Sequence, residues 1–111
     1  MRSQQNPRSR KLSARQVYDA LCSDDTEKQA MATRVFQNLG IPGQQFLVGK
    51  ALRHAKLPDK CIAALEAIRR VGQPLDLDVA MSAFLLFGHP NEQVRQKAEE
   101  TFAALQASNR G

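Results

Sequence analysis

Apolar residues recur along this chain at intervals of three and four, the period of an amphipathic helix, and no stretch carries a strand signal. The spacing predicts an all-α fold of six helices, at about 13–22, 25–39, 43–56, 58–71, 75–87 and 91–107. Val17 and Leu21 line the first, and Met31, Val35, Phe36 and Leu39 the second. Leu47, Val48, Ala51, Leu52 and Ala55 line the third, and Cys61, Ile62, Leu65, Ile68 and Val71 the fourth. Val94, Ala98, Phe102 and Leu105 line the last. The fifth differs, because Val79-Ala80-Met81-Ser82-Ala83-Phe84-Leu85-Leu86-Phe87 is apolar almost all round. Two readings stand: a helix enclosed by neighbours, or one whose outer face docks a partner. Its nine residues are far fewer than the roughly 20 needed to cross a bilayer.

The punctuation between helices is periodic. Pro42, Pro58, Pro74 and Pro90 stand sixteen apart. Proline fits the first turn of a helix and clashes in its interior, so each is expected to start a helix. Two such units make a hairpin, and the chain repeats at 32: Gly40-Ile41-Pro42 returns as Gly72-Gln73-Pro74, Leu47 as Val79, and Ile62 as Val94. Where the first hairpin lacks a proline, Ser23-Asp24-Asp25-Thr26-Glu27 supplies capping oxygens and acids. Gly40, Gly72 and Gly88 are expected to end helices in a left-handed conformation. The expected architecture is an α-solenoid of three stacked helical hairpins, about 10–41, 42–73 and 74–107, in one domain spanning 13–107. A flexible basic arm, 1–12, and a flexible end, 108–111, are expected to flank it.

The run His89-Pro90-Asn91-Glu92-Gln93-Val94-Arg95-Gln96-Lys97-Ala98, followed by Phe102 and Leu105, resembles the turn and second helix of a HEAT repeat. It is most similar to the short type named after phycobilin lyases. Repeat two follows the pattern with Ile62-Ala63 in place of Val-Arg, and repeat one carries Ala30-Met31 there. The resemblance implies a HEAT-like superhelix. It also implies an accessory role in pigment attachment, which nothing else in the chain supports. HEAT motifs are degenerate, so the likeness speaks to fold more than to function.

Charge narrows the choice of partner. The net charge is +5, and residues 1–15 hold Arg2, Arg8, Arg10, Lys11 and Arg15 with no acid. Residues 28–70 hold eight bases against Asp59 and Glu66, while 76–100 hold five acids against Arg95 and Lys97. Lys50, Arg53 and Lys56 fall three apart on one stripe of the third helix, with His54 and Lys60 beside it. A cationic solenoid face of this kind tracks phosphates, but no exposed aromatic or nucleic-acid motif is there to read bases. Arg69 and Arg70 also suit the negative end of the fourth helix.

Catalysis and metal binding find no constellation. His54 and His89 are the only histidines, with no Cys/His cluster to complete a metal site. Asp76 and Asp78 suit a helix start, and Glu99 and Glu100 point apart. Cys22 and Cys61 are expected to stay unpaired. No apolar core of a signal peptide follows the basic N-terminus, and the expected location is cytoplasmic.

The expectation is a non-catalytic interaction module without cofactor or metal. It binds a protein or an acidic peptide through Lys28, Arg34, Lys50, Arg53, Lys56, Lys60, Arg69, Arg70 and Arg95, on its basic face or on a concave face lined by 25–39, 58–71 and 91–107. The alternative is a nucleic-acid-binding accessory protein using the basic middle and the arm. No membrane partner is expected, and any homodimer should form through the N-terminal end, because the last helix carries Glu92, Arg95, Lys97, Glu99 and Glu100.

Overall fold

The computed structural model describes residues 13–110, with side chains for 13–106. Among them the chain forms six α-helices and one 3-10 segment, and no strand. The order is α1 (Ala14–Leu21), α2 (Thr26–Leu39), α3 (Ile41–Arg53), α4 (Pro58–Val71), α5 (Leu77–Ala83), the 3-10 segment Phe84–Gly88, and α6 (Glu92–Arg110). The arm 1–12 lies outside the described residues.

Each helix starts for a local reason. At α1, the Ser13 hydroxyl accepts from the Gln16 N–H (3.2 Å) and the Gln16 side chain accepts from the Ser13 N–H (2.9 Å), a reciprocal capping box. The Asp25 carboxylate accepts from the N–H groups of Glu27 (2.9 Å) and Lys28 (3.1 Å), so α2 starts in the predicted acidic cluster. Pro42 and Pro58 occupy the first turns of α3 and α4 as expected. Pro74 and Pro90 do not start helices. Gln44 of α3 donates to the Pro74 carbonyl (3.1 Å) and accepts from the Asp76 N–H (2.8 Å), holding that stretch extended until Asp76 caps α5. Pro90 precedes Asn91, whose side-chain oxygen accepts from the Val94 N–H (3.2 Å) and opens α6.

The glycines divide likewise. Gly40, at φ 65° and ψ −135°, turns α2 directly into α3 in a conformation that a side chain resists. Gly72 ends α4 left-handed, but Gly88 has no positive φ and belongs to the 3-10 segment. Gly43 serves packing: a Cβ there would stand 3.0 Å from both Leu39 Cβ and the Phe36 carbonyl oxygen, so its absence lets α3 lie tightly on α2.

The most extensive packing joins α4 to both α3 and α6, and α1 to α2; α6 also meets the 3-10 segment, α3 meets α5 and α2, and α4 meets α2 more sparingly. Apart from Phe36 the core is aliphatic: Phe36, Leu21, Leu47, Leu65, Leu86 and Val94 are its largest fully enclosed apolar side chains. Ala51, Ala64, Ala67, Ala83 and Ala98 are wholly buried between them, where small side chains let helices approach. On α2 the inward residues are Ala32 and Phe36; Met31, Val35 and Leu39, expected to face the core, lie outside. Met31 and Val35 each stand one residue before a buried position and Leu39 three after one, offsets of about 100° and about 60° to the same side of the helix, and that side is exposed.

Candidate interaction surfaces

Three of the nine basic residues singled out in the sequence are engaged within the fold. The Lys50 ammonium lies 5.2 Å from the centre of the Tyr18 ring and 5.6 Å from that of Phe46, pinning α1 to α3. Arg70 Nη1 donates to the Leu21 carbonyl (3.0 Å) and so caps the end of α1. Arg95 Nη1 donates to the carbonyls of His89 (2.7 Å) and Pro90 (3.2 Å), bracing the turn before its own helix. These partners lie on distant helices or in a turn, and helical spacing gives no sign of them.

Arg53, Lys56 and Lys60 cluster at the turn joining α3 to α4 and are exposed. His54 stands beside them: loss of hydration, then the charges of Lys50, Lys60 and Arg53, hold its pKa below the ordinary imidazole value. Arg69 and Arg70 share a shallow recess with Glu66 and Lys97 at the other end of α4. Lys97 there pairs with Glu66 (3.5 Å) and Glu100 (3.7 Å), which offsets its positive charge. Arg34 is exposed on α2. Lys28 stands at the mouth of an apolar groove. The nine residues therefore make no single face.

The larger surface feature is apolar. On α5 and the 3-10 segment, Leu77 and Leu85 are each 72% exposed, and Met81 and Phe84 each 57%. Val79, Ala83 and Leu86 face inward, so the fifth helix is enclosed on one side only. Its outer face continues into a groove of about 250 Å³ walled by Leu75, Leu77, Ala80, Phe84, Phe102 and Leu105. Phe87 links this wall to α6, with ring centres 5.5 Å from both Phe84 and Phe102. A second groove, about 420 Å³, opens between α1 and α2, lined by Val17, Ala20, Met31, Ala32 and Val35 with Asp19 and Lys28 at its edges. Sequence pattern found the first surface through the all-round apolarity of 79–87. It missed the second, because Met31 and Val35 fit a core stripe equally well.

Among the described residues no group of three metal-ligating side chains converges, and no helix is long and apolar enough to cross a membrane. Cys22 and Cys61 are free thiols, the first exposed and the second buried. No family model, no curated protein and no solved structure matches the chain.

Proposed function

We propose that this chain is a non-catalytic interaction module, a short HEAT-like stack of three helical hairpins that binds a protein partner through apolar surface. The carrying observation is the contiguous exposure of Leu77, Met81, Phe84 and Leu85 beside an apolar groove. Large apolar patches on a folded chain mark places where another surface docks, because leaving them wet forfeits roughly 25 cal/mol per Å². The stacked-hairpin reading is supported by recurrent burial from α2 to α4 and from α3 to α5: Ala32 with Ala64, Phe36 with Ile68, Leu47 with Val79, and Ala51 with Ala83, each pair 32 residues apart and all buried.

A photoreactive phenylalanine analogue at Leu85, in the cells that make the protein, tests the reading. Discrete protein adducts are expected at position 85 and not at Lys60; adducts at neither position sink it.

The cationic turn of Arg53, Lys56 and Lys60 supports the second reading, nucleic-acid contact, because all three are exposed and two of them, Lys60 and Arg53, add to the lowering of the His54 pKa. Titration with a short duplex and a single strand at about 50 and 200 mM salt separates the two readings. Phosphate binding falls steeply between those concentrations and drops when Arg53, Lys56 and Lys60 become Ala; no binding at the lower salt removes it.

A further inference from the structure

We propose that the turn between α3 and α4 binds a phosphate backbone in a proton-coupled way, His54 taking up a proton as the anion arrives. The inference rests on the nucleic-acid reading and adds its regulation: affinity rises as the pH falls through the histidine range.

The turn is a fixed platform. The Ala55 N–H donates to the Leu52 carbonyl (3.2 Å), that of Leu57 to the His54 carbonyl (2.8 Å), and that of Cys61 to the Leu57 carbonyl (2.9 Å). His89, in the turn before α6, adds a bond to the Ala55 carbonyl. His54 caps the end of α3, four residues after Lys50, next to Arg53 and six before Lys60. Its backbone is held, while its ring is only partly buried and, among the described residues, makes no hydrogen bond. Among the same residues no carboxylate lies within ion-pair reach of Arg53, Lys56 or Lys60. Arg70, Arg95 and Lys97, by contrast, each have a partner inside the fold. The turn therefore presents three uncommitted cations with an open imidazole among them.

The charges that act on the ring are those of Lys50, Lys60 and Arg53, and all three oppose its protonation. The neighbouring elements do not cancel them. Asp59 opens α4 and Glu92 opens α6, and neither pairs with these cations. Asp78 of α5 lies across a crevice from Gly49 and Leu52, lower on α3. Arg95 of α6 is committed to the His89 and Pro90 carbonyls, and His89 itself to Ala55. The end of α3 favours an imidazolium and the start of α4 disfavours one, so the two helix ends offset each other. A phosphate seated on Arg53, Lys56 and Lys60 neutralises the field that keeps His54 uncharged. The ring then gains a proton, and the imidazolium in turn holds the phosphate. Each event strengthens the other by one and the same factor. A phosphodiester keeps its charge throughout this range, so His54 is the group that titrates.

The test is titration of the full chain with a short duplex carrying hydroxyl ends, at about pH 5.5 and about pH 7.5 and at about 50 mM salt. Far-UV circular dichroism at both values establishes that the native chain and His54→Gln are folded. The native chain is expected to bind about three to ten times more tightly at the lower pH, the gain that a midpoint shift of about half to one unit supports. In His54→Gln the two affinities are expected to converge. Proton NMR of the native chain gives the reciprocal measurement: the duplex should raise the His54 midpoint, and less so at about 200 mM salt. Equal affinity at the two pH values, an unmoved His54 midpoint, or a pH dependence that persists in His54→Gln overturns the coupling and leaves nucleic-acid contact standing. No binding at either pH removes both.

Discussion

The His89 imidazole bridges the turn before α6 to the turn between α3 and α4, its Nε2 donating to the backbone carbonyl of Ala55. Nδ1 accepts the Asn91 N–H (2.9 Å), which places the proton on Nε2 and fixes the neutral tautomer. His89 is only 9% exposed, so both bonds are partly shielded from water. His89→Ala strips a partner from the Ala55 carbonyl and from the Asn91 N–H at once. The expected cost is about 2–4 kcal/mol, one to two unsatisfied buried groups, read as a lower urea midpoint with unchanged slope. A loss under about 0.5 kcal/mol would show that water replaces the ring freely.

Arg70 and Lys50 hold the short helix α1 at two points, one at its last carbonyl and one over Tyr18. An eight-residue helix has little intrinsic stability, so these tertiary ties decide whether it persists. Arg70→Ala is expected to cost about 1–2 kcal/mol and Lys50→Ala about 0.5–1 kcal/mol. In both variants, amide exchange should accelerate in residues 14–21 before it does so in α4. Uniform acceleration along the chain would mean that α1 does not open separately.

The helices were legible because their apolar period is regular, and α4 begins and ends at the residues the spacing predicts, Pro58 and Val71. The proline rhythm misled in the second half. Pro58 lies inside α4 but Pro90 stands before the Asn91 cap of α6, so aligning the two prolines puts the helices out of register. Ile62, matched to Val94 in sequence, is only partly buried; Cys61, Leu65 and Ile68 are the buried residues corresponding to Val94, Ala98 and Thr101, at an offset of 33. The basic residues were visible as charges but not as partners. Whether Arg70 is free or caps α1 depends on a carbonyl 49 residues away, which no local pattern encodes.

His54 gives the cationic turn a pH signature. Its folded pKa is lowered, first by lost hydration and then by Lys50, Lys60 and Arg53, so the unfolded chain takes up a proton more readily than the native one. The native state therefore keeps its full stability above the ordinary histidine value of 6.5, and loses some as pH falls through that value towards the folded pKa. A proton NMR titration should place the His54 midpoint below 6.5 and move it upwards with added salt or with Lys60→Ala. A midpoint unmoved by either change would show that the three cations do not act on the ring.

Tyr18, Cys22 and Cys61 set the alkaline limit. Burial pushes all three pKa values up; at Cys22 the Tyr18 hydrogen bond and the Arg70 charge oppose the rise without cancelling it, and at Cys61 burial acts alone. Raised values make the stabilising contribution complete below pH 9.0, the unfolded thiol value. Above it the unfolded chain releases thiol protons, and near pH 10.0 the tyrosine proton, while the native groups hold theirs, so stability falls. Cys61 adds a kinetic signature, because its thiol is fully enclosed and donates to the Ala51 carbonyl (3.4 Å). A disulfide reagent at neutral pH should modify exposed Cys22 first and Cys61 only as fast as the fold opens, with urea making the two rates equal. Equal rates in native buffer would mean that α3 and α4 separate far below the global unfolding free energy.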